Sequence, residues 1–165
     1  MLSLLETARA LAHDPEVLEA AIWFHDAIYE PGAHDNEVMS ARLAIETLRL
    51  AGWDRERTDR VGVLIMYTAQ HRAPEEDRDA ALLLDLDLSI LGADSATYAL
   101  YVRQVRKEYP HLTDHAFDDG RLGFLNQMLQ RPALFLTDHF SSLLEATARR
   151  NLRHELNALI AQHRR

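Results

Sequence analysis

A chain of 165 residues, 47% hydrophobic and 27% charged, has the size and composition of one globular domain with a continuous core. Its 26 acidic residues against 18 basic ones give a formal net charge of -8, which removes the electrostatic support that duplex nucleic acid needs from a partner. With no cysteine, disulfides, thiolate metal sites and cysteine nucleophiles are excluded, so any metal here must take imidazole and oxygen ligands.

The N-terminus has no basic region followed by an apolar stretch, and no segment is apolar for long enough to span a bilayer. A cytoplasmic protein with no membrane partner is expected. Apolar spacings of three and four recur from end to end without alternation, which predicts an all-α fold. Breakers at Asp14-Pro15, Pro31-Gly32, Ala51-Gly52, Ala73-Pro74, Gly92, Pro110 and Pro132 divide the chain into about eight helices. Asp14, Asp54, Asp94, Asp114 and Asp138 each stand where a carboxylate can cap a helix N-terminus. Gly62 and Gly123 fall inside helical stretches, where each costs roughly 1 kcal/mol relative to Ala, so close helix packing is expected at both.

The first segment with chemistry, PEVLEAAIWFHDAIY, predicts a helix from about Pro15 to Tyr29. Leu18, Ile22 and His25 share a line on it, so His25 starts from an apolar face. Asp26 follows about 100° further round, and the pair can chelate one ion where the helix wall faces a cavity. After a loop with Pro31, Gly32, His34 and Asp35 comes NEVMSA. Its Glu37 suits orienting an attacking water, hydrogen-bonding a metal ligand or, with Asn36, capping the next helix. In VGVLIMYTAQH, Val61, Leu64, Ile65, Thr68 and His71 line one face, which makes His71 a core histidine or a member of the same cavity.

The segment DAALLLDLDLSILGA is nearly apolar all round from Ala80 to Leu91, the pattern of a buried helix with Asp85 and Asp87 embedded in it. Burying a carboxylate costs several kcal/mol without compensation, so Asp87 calls for a metal ion or a buried salt bridge. Further on, Arg103, Arg106 and Lys107 share a helical face that suits a substrate phosphate or simply a solvated charged surface. Glu145 stands four residues before Arg149, a helix-supporting spacing. Leu152, Leu156, Leu159 and Ile160 form a stripe able to dock the last helix on the core or to pair two copies in a homodimer.

Histidines and aspartates on separate helices suit a divalent Mn, Fe, Co, Ni, Zn or Mg ion. Such an ion acidifies water and offsets charge on a phosphoryl oxygen, so hydrolysis of a small phosphorylated substrate follows.

Taken together, the FHD of Phe24 to Asp26, the NEVMSA of Asn36 to Ala41 and the DLDLSILG of Asp85 to Gly92 resemble the HD-domain superfamily of metal-dependent phosphohydrolases. YVRQVRKEY, DDGRLGFLNQML and EATARRNLRHEL are similar to a bacterial subfamily described as predicted phosphohydrolases of that superfamily, and the resemblance covers nearly the whole chain. It implies one HD-like helical bundle over residues 1–165. It also implies a divalent metal held by the His25-Asp26 pair and a distant Asp, for which Asp87 after Leu86 matches better than Asp85. The implied reaction is hydrolysis of a phosphoester of a small metabolite or nucleotide.

The chain departs from the family at the early His ligand. MLSLLETARALAHD contains no YHxxxHI-like segment, and His13, beside Pro15 at a helix boundary, does not fill that role. The expectation is that a helix carrying the first ligand precedes Met1. A non-catalytic helical scaffold that binds a ligand or protein partner is the alternative this departure favours.

Overall fold

The computed structural model describes residues 1–163, and every regular element among them is helical: eight α-helices and two short 3-10 helices, with no strand. The all-α expectation holds. No helix among the described residues is long and apolar enough to cross a membrane. Internal packing divides the chain into two units, Met1–Asp87 and a second beginning at Leu88.

The first unit opens with α1 (Leu2–Ala8) and a 3-10 turn at Arg9–Leu11. Then α2 (Pro15–Phe24) starts at its predicted cap, where Asp14 accepts the N–H groups of Glu16 and Val17 and Pro15 takes a first-turn position. α3 (Asn36–Leu50) and α4 (Arg55–Thr68) form an antiparallel hairpin through Gly52, whose φ of +87° suits glycine. Arg49 near the end of α3 reaches Asp59 near the start of α4 at 2.7 Å. Gly62 permits this pairing, because a Cβ there would stand 2.7 Å from Ile45 Cδ1. α5 (Arg78–Asp87) begins where Asp77 accepts the N–H of Ala80.

α2, α4 and α5 point the same way, as the contacts at both ends establish. At their starting ends Arg57 binds Asp14 twice at 3.1 Å and Glu16 at 2.7 Å, and Arg60 grips Asp77. Asp79, 4% exposed, accepts the N–H groups of His13 and Asp14 at 2.7 and 3.1 Å. At their finishing ends stand His25, His71 and Asp87. Leu18, Leu64, Ile65, Leu82 and Leu83 are fully shielded from solvent in this unit.

Three sequence expectations for this unit change. α2 ends at Phe24 rather than Tyr29, so His25 caps it and Asp26 lies in the turn beyond. His71 stands past the end of α4 with a left-handed φ of +48°, rather than at the end of a helical stripe. The Ala80 to Leu91 helix is divided: α5 ends on Asp87 and a 3-10 helix, Leu88–Gly92, follows.

The second unit contains that 3-10 helix, α6 (Ser95–Glu108), α7 (Asp114–Gln130) and α8 (Asp138–His163). Asn151 of α8 donates to the carbonyls of Leu91 and Ala93 at 2.9 Å each, satisfying the end of the 3-10 segment. A Cβ at Gly92 would stand 2.6 Å from Leu144 Cβ and 3.1 Å from its carbonyl oxygen, so only glycine lets α8 approach there. Asp94 caps α6 as expected. At the other two starts the preceding threonine caps instead: Thr113 accepts the N–H of Ala116 and Thr137 that of Phe140. Asp114 and Asp138 are left in the first turns, where their charge faces the positive end of the helix dipole. Gly123 meets nothing within 4 Å of an added Cβ, so close packing does not account for it.

Candidate functional site

Four segments of the first unit deliver the predicted polar residues to one place. His25 caps the end of α2, the following turn carries Asp26, α5 ends on Asp87, and the chain just past α4 carries His71. His25 is held at both nitrogens. Its Nδ1 lies 2.9 Å from the carbonyl oxygen of Ile22, which can only accept, so Nδ1 carries the proton. Nε2 then faces Asp87 Oδ1 at 3.4 Å and Asp26 Oδ2 at 3.5 Å. The second oxygen of Asp87 takes a hydrogen bond of 2.8 Å with His71 Nε2.

This arrangement sets an electrostatic condition. A neutral His25 with Nδ1 protonated would aim an Nε2 lone pair at two carboxylates, so the space calls for a proton on Nε2 or a cation beside it. Burial works against a charged His25, but the Asp87 and Asp26 carboxylates outweigh it and raise its pKa. Burial likewise works against an ionised Asp87, and hydrogen bonds from His25 and His71 overcome it, holding the carboxyl well below the ordinary range. Asp26 moves upward, through partial desolvation of its carboxyl and the neighbouring charges of Asp87 and Glu37, against the attraction of His25. Glu37, in the first turn of α3, therefore belongs to the same electrostatic neighbourhood.

The donor chemistry fits a divalent cation: imidazole nitrogen and carboxylate oxygen, with no thiolate. Two donors each about 2.1 Å from one ion lie roughly 3–3.5 Å apart. The His25–Asp26 and His25–Asp87 separations fall in that interval. His71 and Asp87 are instead in direct hydrogen-bond contact. No group of three His, Asp or Glu among the described residues forms a convergent ion-binding set.

The remaining candidates lie elsewhere. Asp85 is fully buried in α5, about 200° round the helix from Asp87, and has interactions of its own. Arg103, Arg106 and Lys107 belong to α6 of the second unit. Arg106 bonds the carbonyls of Tyr109 and Leu112 and the Asp114 carboxylate and lies over the Phe117 ring, so it closes the α6–α7 connection. Arg103 and Lys107 are exposed.

Sequence reasoning passed over Asn36 and Ser40 as parts of this neighbourhood. Asn36 Oδ1 accepts the N–H of Glu30 and its Nδ2 donates to the Glu30 carbonyl, both at 3.0 Å. Ser40 Oγ accepts the N–H of Ile28 at 3.0 Å and donates to the Ile28 carbonyl at 3.1 Å. Only the NEVMSA motif itself signalled them.

No protein-family model matches this chain, and no curated protein or solved structure matches it either.

Proposed function

We propose that the first unit is a metal-dependent phosphohydrolase centre, with His25, Asp26 and Asp87 as the ligands of a divalent cation at the ends of α2 and α5, on which the three would have to draw together. One observation carries this reading: His25, its Nδ1 committed to the Ile22 carbonyl, directs Nε2 at two carboxylates. The resemblance of the FHD, NEVMSA and DLDLSILG segments to HD-domain phosphohydrolases supports it, as does the helical architecture. When bound, the cation supplies Lewis acidity toward a phosphoryl oxygen and lowers the pKa of water. His71 keeps the Asp87 carboxylate oriented through its hydrogen bond. Glu37 is the nearby carboxylate suited to accept a proton from an attacking water. The substrate class is a phosphoester of a small metabolite or nucleotide.

The test is metal per chain by elemental mass spectrometry on untagged protein purified without chelator, followed by a phosphomonoester assay. Near-stoichiometric metal is expected in the wild type and background metal, with no turnover, in Asp87→Asn. Turnover undiminished in Asp87→Asn would remove the ligand assignment.

A second reading, a helical scaffold without catalysis, is favoured by the His71–Asp87 hydrogen bond, which satisfies Asp87 without any ion. It predicts no metal in the wild type and partner or ligand binding that survives Asp87→Asn.

A further inference from the structure

The turn that carries Asp26 has little regular structure of its own. After the Ala27 N–H to Phe24 carbonyl bond, the chain leaves α2 and crosses to α3 without a regular element. Its backbone is instead held by side chains on the first turns of α3. Ser40, 0% exposed, takes both polar groups of Ile28, and Asn36 takes both polar groups of Glu30. These are two complete donor–acceptor clasps, spaced two residues apart on the turn and four apart on the helix. Between them in sequence lies Glu37, whose charge acts on Asp26.

We infer that Asn36 and Ser40 are positioning residues: they fix the turn after His25 so that Asp26 stays across from His25 Nε2, and cation affinity depends on them although neither is a ligand. The physical reason is the number of ways the turn can relax. With the clasps open, Asp26, whose side chain is 62% exposed, is free to swing into solvent, whereas His25 stays anchored by Ile22. The His25–Asp26 separation is then the one most easily lost. This inference rests on the reading of the cluster as a cation site.

The experiment is Mn2+ titration by calorimetry of the full chain as wild type, Ser40→Ala and Asn36→Ala, with melting of the metal-free forms alongside. Thr58→Val serves as a stability control, because Thr58 is buried near the start of α4, at the other end of the unit, and bonds only its own helix. Expected is a roughly tenfold or greater loss of Mn2+ affinity in each clasp variant, the size typical of groups that orient metal ligands. Thr58→Val should lower the melting temperature and leave affinity unchanged. Asn36 is only partly buried, so Asn36→Ala keeps the test open should Ser40→Ala fail to fold. Clasp variants that bind Mn2+ as tightly as the wild type would overturn the positioning role alone. A wild type that binds no Mn2+ would overturn the cation site and the positioning role with it.

Discussion

At Asp87 the conflict between burial and ionisation is resolved by two imidazoles, one on each oxygen, whereas at Asp77 the same conflict is resolved by Arg60 and a backbone N–H. Burial pushes the Asp77 pKa up, and the Arg60 hydrogen bond, the Ala80 N–H and the Arg60 charge together bring it below its ordinary value of 3.8. A carboxylate with a depressed folded pKa contributes stability that is present above its unfolded pKa and lost as pH falls through the folded one. Acid titration of stability should therefore show a loss below about pH 4 that is shallower in Asp77→Asn. An unchanged acid limb would mean that the Arg60 pairing contributes nothing. Residues of this kind were partly legible in the sequence. His25 and Asp87 each interrupt an apolar stripe in the sequence, and that contradiction marks a polar group the fold must satisfy, whereas His71 only follows such a stripe and leaves its helix before reaching the site. Asn36 and Ser40 interrupt nothing, and their role depends on the path of the chain after Phe24, which no local pattern encodes.

Helices were legible wherever a breaker and a cap coincide, as at Asp14-Pro15, and less so where a helix ends without either. α2 stops at Phe24 because the backbone groups ahead of it find side chains on α3 instead of carbonyls four residues back. α5 tightens into a 3-10 helix just after Asp87, and no glycine or proline announces the change. Glycines within helices separate two cases the sequence could not tell apart. Gly123→Ala, with open space around the new methyl, should stabilise the protein by about 0.5–1 kcal/mol in urea denaturation. Gly62→Ala must displace Ile45, and that cost should offset the helix-propensity gain and leave it neutral or destabilised. Equal stabilisation by both would show that the α3–α4 contact yields without cost.

Across the molecule, the all-α class and the absence of thiol chemistry follow from composition and periodicity, but the polar core of the second unit does not. Arg121 and Glu155, 34 residues apart and each on a charged helix, carry no local signal of burial, yet they are 8% exposed apiece and bonded at 2.7 and 3.1 Å. Tyr98 donates to the same carboxylate, and Tyr101 and Phe124 lie beside the guanidinium. Glu155→Gln would leave a buried cation without its counter-ion, so unfolding free energy should fall by about 3–5 kcal/mol in urea titration. The double variant Glu155→Gln with Arg121→Met should recover part of that loss, and a single variant costing under about 1 kcal/mol would show the pair to be dispensable.

The shared direction of α2 and α4 has its own effect on how a cation would be captured. α2 and α4 each end in carbonyls that together carry about half a negative charge, and these two ends stand beside His25 and His71, while their opposite ends are neutralised by Asp14 and Asp54; α5 instead runs on into the 3-10 helix after Asp87. The backbone thus makes one pole of the unit attractive to positive ions before any ligand is touched, over a range of about 8 Å at physiological ionic strength. Because that attraction comes from peptide groups, it persists at any pH at which the helices stand, and added salt, rather than protonation, is what weakens it.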